Sequence, residues 1–161
     1  MAVHTIESEK LYSRHWNQTM SEIVVSGIPS EMREQGTGRQ LIHWRVQATL
    51  IFPSTSELLS PGSNTVQCAI FDTVMAKDTG EVVIEIFSKR YRISQQSQAH
   101  PNFPLLDGVN LTPRGLLAII QEKGLDKYKY NGEGSGCLYW CTQVIRHLEE
   151  VGIIGQGSQA N

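Results

Sequence analysis

No run in the 161-residue chain approaches the roughly 18 consecutive apolar residues of a membrane-crossing helix. The opening MAVHTIESEK has no apolar core of the kind a secretory leader carries, so a cytoplasmic protein is expected. An excess of one charge is also missing. Fourteen Lys+Arg face sixteen Asp+Glu for a net charge of -2, and no basic stripe is present to follow a phosphate backbone. Nucleic acid is therefore not an expected partner. Cysteine is scarce and odd in number, at three, which argues against a secreted disulfide scaffold and for free thiols. Cys137-x3-Cys141 with Cys68 lacks a fourth ligand at local spacing, so no metal is expected. Gly36-Thr37-Gly38-Arg39 lacks the Gly-Lys-Ser/Thr ending of a phosphate loop, and no other cofactor motif is present.

What is present fits one globular domain. Hydrophobic residues make up 40% and charged residues 19%, too apolar for a disordered chain. A chain of this length buries about 68–70% of its unfolded surface without needing disulfides or metal. Residues 1–20 are polar and aperiodic and read as a flexible arm. Residues 21–155 read as the domain and 156–161 as a polar tail.

Within the domain, Glu22–Ile28 reads as a strand stopped by Pro29, and residues 29–40 as a loop. Residues 41–52 alternate: Trp44, Val46, Ala48, Leu50 and Phe52 on one face, His43, Arg45, Gln47 and Thr49 on the other. That is the period of a half-buried strand. Val66–Val74, Glu81–Phe87 and Tyr91–Ser94 supply further strands around a Lys77-Asp78-Thr79-Gly80 turn, and residues 95–110 read as loop. The period then changes to helical. Thr112-Pro113 is an N-cap with proline at the first helical position, and Gly124 ends that helix. Asp126–Tyr130 reads as a short extended piece and Asn131–Gly136 as a glycine-rich turn. A second helix, about 137–150, carries Cys137, Leu138, Cys141, Val144, Ile145, Leu148 and Val151 as its apolar stripe. Strands first and helices last predict an α+β fold: an antiparallel sheet of four or more strands packed on two C-terminal helices.

Three residue types in this layout point to nucleophilic chemistry. Cys137 opens a helix after a glycine-rich turn, where free amides and the positive dipole end favour a thiolate. Glu133 opposes this, because a nearby carboxylate raises a thiol pKa. His43 starts a strand on its polar face. Asp72 shares a strand face with Val66, Cys68, Ile70 and Val74, and an acid on an apolar face needs a partner: His43, Arg45 or Arg92. Gln67, on the opposite face, is the other candidate to orient the imidazole. A Cys–His pair with a polar orienter is the minimum set for thiol catalysis. Trp44, Arg45, Gly136, Tyr139 and Trp140 are the residues expected to bind substrate.

The segments IHWRVQATLIF, GLDKYKY and GEGSGCLYWCTQVIRHLEEVGII, in this order, resemble a family of small fungal proteins of unknown function. That family shows an Asn-His-Trp strand start and a late Gly-Cys-aromatic helix ending in Leu-Glu-x-x-Gly; here Ile42 replaces the Asn. The order His, polar orienter, Cys also looks like the circularly permuted NlpC/P60 proteins, of the lecithin:retinol acyltransferase-like type. That resemblance implies a permuted papain-like fold, with His43 as base and Cys137 as nucleophile. The second His of that family is absent, so Asp72 or Gln67 would take its place.

The expected function is a small cysteine-dependent enzyme of acyl chemistry, hydrolysing or transferring at an amide, ester or thioester of a small molecule. One alternative is a cofactor-independent cyclase in fungal secondary metabolism, acting by positioning alone. The other is a non-catalytic binding module in which Cys and His are structural. Whether two copies pair as a homodimer stays open.

Overall fold

In a computed structural model, the residues described are 6–33, 36–38, 40–51, 65–75, 82–92, 102–127 and 136–155. They form six strands and two helices: β1 Ile6–Lys10, β2 Met20–Arg33, β3 Gln40–Leu50, β4 Thr65–Met75, β5 Val82–Arg92, β6 Asn102–Pro104, α1 Pro113–Glu122 and α2 Gly136–Glu150. The strands make one sheet in the order β1-β5-β4-β3-β2-β6. The fold is α+β, with both helices packed on one face of the sheet.

The central four strands are an antiparallel meander, as alternation at 41–52 predicts. The sheet as a whole is mixed, because β1 pairs parallel with β5 through Ile6↔Ile84 and Glu7↔Glu85. This corrects the expected flexible arm for residues 6–20. β1 is an edge strand, and the charges of Ile6-Glu7-Ser8-Glu9-Lys10 suit an edge, which polar side chains protect from further pairing. A short 3-10 helix, Ser13–Asn17, follows it. Its His15 is fully buried, with Nδ1 at 2.8 Å from Ser88 Oγ, and Tyr12 N–H donates to the same oxygen. Burial, with the Arg14 charge adding to it, holds the His15 pKa below its usual value.

β2 runs through Pro29 to Arg33, where the sequence suggested a stop. β6 pairs with Glu22–Val24 of β2, so among the described residues β2 has no neighbour on that side at Pro29. A missing N–H is tolerated at such an edge. Val82–Arg92 is one continuous strand rather than two pieces. Within the expected loop, Asn102–Pro104 forms β6, whose Phe103 is buried opposite Ile23. Residues 125–127 are 3-10 helix and not extended. Phe52, the turn at 77–80, residues 93–101, Tyr128 to Ser135 and the tail from 156 lie outside the described residues.

The core lies between the helices and one sheet face. Ile23, Val25, Val46, Ala48, Leu50, Ala69, Phe71, Ile84 and Ile86 meet Leu116 and Ile120 of α1 and Trp140, Cys141, Val144, Ile145 and Leu148 of α2. Thr112 caps α1, accepting from Gly115 N–H at 3.2 Å. Gly124 and Gly152 end the helices with φ of +72° and +78°, a conformation that glycine adopts without a Cβ penalty. After α2 the chain returns to bridge Leu105 through Ile154.

Candidate active site

The strand register decides which polar residues can meet. β3 pairs with β4 from Thr49↔Cys68 to Val46↔Phe71, and β4 pairs with β5 through Asp72↔Glu85. Side chains alternate along each strand, so His43, Arg45, Gln47 and Thr49 share a face with Cys68, Ile70 and Asp72. This is the face turned away from the helical core: Val24, Cys68 and Ile70 are buried on it outside the main apolar cluster. The alternation of residues 43–50 therefore does not separate wet from dry. Arg45, Gln47 and Thr49 are as buried as the apolar residues between them.

On this face His43 Nε2 and Asp72 Oδ1 form a hydrogen-bonded ion pair, with side chains 27% and 14% exposed. His43 sits two positions off direct register with Asp72, a diagonal that a long side chain spans. The third member comes from α2. Cys137 is the second residue of that helix and only 6% exposed, and its Sγ accepts from the Trp44 backbone N–H at 3.4 Å. Trp44 lies two residues beyond the last β3–β4 pair, Val46↔Phe71. His43 also hydrogen-bonds Cys137, which makes a continuous Cys137–His43–Asp72 arrangement.

The electrostatics follow from these contacts. The His43 pKa is raised from 6.5 to about 10, first by the Asp72 hydrogen bond and then by Cys137; partial burial opposes the shift and is outweighed. For Cys137, burial pushes the thiol up. The His43 hydrogen bond, the Trp44 N–H, the His43 charge and the Leu138 N–H together pull it below its usual 9.0. The thiolate of Cys137 and the imidazolium of His43 are thus two charges that each stabilise the other. Cys141, one turn along α2, is the opposite case. Burial and the nearby negative charges of Cys137 and Asp72 raise its pKa well above 9.0, so it stays a neutral thiol.

The other expected site residues fall differently. Gln67 does not orient His43: with its amide oxygen toward Arg90 it accepts from Arg90 Nε at 2.9 Å and Nη2 at 2.8 Å. Its strand position puts it on the helix-facing side, in line with Ala69 and Phe71. Trp140 is not a substrate contact. It is fully buried in the core, and its Nε1–H donates to Leu125 O at 3.0 Å. Trp44 packs its side chain against the core and gives the site its backbone N–H. Tyr139 is exposed, two residues after Cys137. Gly136 begins α2 beside the thiol. Arg45 is buried on the His43 face, its guanidinium 5.8 Å over the Phe87 ring. Glu133 and Gly134 lie outside the described residues.

Sequence reasoning missed the two backbone donors to the sulfur, Trp44 and Leu138. A residue-type scan has no signal for them, because every residue except proline carries an N–H. Among the described residues no group of His, Cys, Asp and Glu could hold a metal ion, and no helix is long and apolar enough to cross a membrane.

Residues 23–161 match the family described as "Domain of unknown function (DUF7770)". The chain belongs to that family. No curated protein and no solved structure matches it. The match begins within β2 and runs to residue 161, and so includes all three residues of the arrangement.

Proposed function

We propose that this DUF7770 protein is a cysteine-dependent enzyme of acyl chemistry. The observation that carries the reading is the Cys137–His43–Asp72 arrangement, with a thiol pulled down and an imidazole raised to about 10. A buried thiol without such partners is driven the other way, as Cys141 is. In this reading the Cys137 thiolate attacks the carbonyl of an amide, ester or thioester. The oxyanion forms at the N-terminus of α2, where amide dipoles favour negative charge. His43, held by Asp72, gives its proton to the leaving group, and the acyl group rests on Cys137. His43, now neutral, then takes a proton from water or an acceptor nucleophile that attacks the thioester. Asp72 serves here where the lecithin:retinol acyltransferase-like proteins carry a second His. The substrate is a small molecule and no cofactor takes part. The three free cysteines suit a cytoplasmic location.

Acyl trapping tests the reading. The protein is mixed with a panel of activated esters and thioesters, and intact mass and peptide mapping locate the acyl group. An acyl adduct on Cys137, lost in Cys137→Ser and slowed strongly in His43→Ala, is the expected result. No adduct on Cys137 across the panel would sink it. Turnover that survives Cys137→Ser would favour the cofactor-free cyclase instead.

A further inference from the structure

Acyl chemistry at Cys137 leaves the second thiol of α2 without a role. Cys141 stands one turn beyond Cys137 on the same helix face, and both are thiols. Residues four apart on a helix have Cα atoms about 6 Å apart and Cβ atoms about 5–6 Å apart. A disulfide accepts Cα atoms at roughly 4.4–6.8 Å and asks for Cβ atoms at roughly 3.5–4.5 Å. Closing the pair therefore needs a shift of about 1–2 Å at one end. Cys137 is at the end that can shift. It is the second residue of α2, after Gly136, and N–H groups of a first turn are not tied into the helix. Cys68 offers no competing partner. It lies opposite Thr49, five residues along β3 from the Trp44 N–H that reaches the Cys137 sulfur, or about 17 Å along the strand.

The two thiols also differ in reactivity. A thiolate, not a thiol, attacks a peroxide. The Cys137 sulfur takes the Trp44 N–H at 3.4 Å and a hydrogen bond from His43, and these partners lower its pKa against the effect of burial. Cys141 is fully buried, and its pKa is raised first by that burial and then by the negative charges of Cys137 and Asp72. Cys141 is thus closed to outside reagents and can react only with its neighbour. Turning Cys137 into a neutral sulfenic acid removes one of the charges that keep Cys141 protonated.

We propose that Cys137 is a site of oxidation by hydroperoxides and Cys141 its resolving thiol, so that the pair closes to a Cys137–Cys141 disulfide. In the first step the Cys137 sulfur bonds to the hydroxyl oxygen of the peroxide as the O–O bond breaks. Sulfur gives up two electrons, the other oxygen leaves with the bonding pair, and that oxygen takes the His43 proton. Cys137 is then a sulfenic acid and the peroxide has become water or an alcohol. In the second step the Cys141 sulfur attacks the Cys137 sulfur. The S–S bond forms as the S–O bond breaks, and the leaving hydroxide takes the Cys141 proton to become water. The disulfide carries no thiolate, so the chemistry of Cys137 stops until a thiol reductant reopens it. The proposal does not rest on the acyl reading; it needs the thiolate and its neighbour, and no acyl substrate.

Hydrogen peroxide in small excess over the reduced, folded protein at neutral pH tests this. Samples are quenched, alkylated in denaturant and mapped by mass, with N-acetylcysteinamide as the reference thiol. Cleavage after Lys129 and Arg146 puts Cys137 and Cys141 in one peptide, residues 130–146, and leaves Cys68 in another. The expected result is loss of two hydrogens from the 130–146 peptide, with neither of its cysteines alkylated and Cys68 alkylated in full. Dithiothreitol should restore both thiols, and Cys137 should be consumed several-fold faster than the reference thiol. Cys141→Ala should stop at the sulfenic acid, which dimedone traps on Cys137; if that variant does not fold, Cys141→Ser takes its place. His43→Gln should slow the first step at least about tenfold, because the leaving oxygen loses its proton donor. Sulfenic or sulfinic acid that accumulates on wild-type Cys137 with no disulfide overturns the role of Cys141. So does a disulfide to Cys68 or between two chains. Oxidation of Cys137 no faster than the reference thiol overturns the whole proposal. If this disulfide forms but no acyl adduct does, the acyl reading falls and the peroxide-reactive pair stands.

Discussion

Replacing Cys137 by Ser should turn a plateau in stability against pH into a slope. His43 is raised from 6.5 to about 10 and Cys137 lowered from 9.0. Consider the interval above 6.5 and below 9.0 in which Cys137 is already ionised in the native state. The native pair then holds one proton, on His43. The unfolded chain also holds one, on the Cys137 thiol, because its imidazole is already neutral. Equal proton counts give no pH dependence from the pair. Serine does not ionise in this range. In the variant the unfolded pair holds no proton, while native His43, still bonded to Asp72, holds one. A raised folded pKa contributes stability that is complete below 6.5 and is lost as pH rises toward about 10. Across that interval the variant should therefore lose about 1.4 kcal/mol per pH unit relative to wild type.

At lower pH the difference keeps its sign, because Cys137 alone sets it. The depressed Cys137 contributes stability that is lost as pH falls through its folded value, and the variant has no such loss. Urea unfolding of both proteins at several pH values measures this directly. Subtracting one curve from the other removes every group common to both, including His15, whose lowered pKa costs stability below 6.5 in each. Parallel curves across the interval would refute the ion pair.

Three further outcomes follow from the same contacts. Asp72→Asn removes the largest cause of the His43 shift, so the alkaline limb of Cys137 alkylation should move down by about 1–3 pH units; a limb unmoved in iodoacetamide kinetics would deny Asp72 its role. Leu148→Ala, in the core, should cost about 2–5 kcal/mol, while Arg146→Ala, which breaks an exposed pair to Glu150, should stay within about 0.5 kcal/mol; equal shifts in urea midpoints would misplace the buried face of α2. Trp140→Phe leaves the buried Leu125 carbonyl without its donor and should cost about 1–3 kcal/mol, an amount that thermal melts resolve and whose absence would make the Nε1 hydrogen bond unimportant.

The legible part of the fold was the part with a clean period. The 137–150 stripe and the Thr112-Pro113 cap each produced the element observed, and alternation placed β3 and β4. β1 and β6 were not legible, since five charged or mixed residues and a Pro-flanked Asn-Phe-Pro become strands only when a neighbour supplies the ladder. The same holds for the site. Cys137 and His43 could be singled out by helix position and strand face. That Asp72 rather than Gln67 meets His43 depends on face and register together, and Gln67 fails on face alone. The burial of Arg45 and Gln47 could not be read from alternation, because a covered polar face and a solvated one have the same period.

The location of the thiol follows from where one ladder ends. β2 and β3 stay paired past Ile28↔His43 to Arg33↔Gln40, and β4 and β5 stay paired to Met75↔Val82. Between them, pairing stops at Val46↔Phe71. Beyond that row the sheet is two ribbons joined by side chains and no longer by backbone. His43 stands on one ribbon and Asp72 on the other, so their hydrogen bond spans the join. The Trp44 N–H, past the end of the β3–β4 ladder, needs an acceptor, and the Cys137 sulfur at the start of α2 is the one it finds. An acceptor that takes a backbone N–H, a histidine hydrogen bond and a helix-terminal N–H is better satisfied as a thiolate than as a thiol. The lowered pKa of Cys137 is thus a consequence of the divided sheet, and the imidazolium that favours its thiolate is held by the residue across the division.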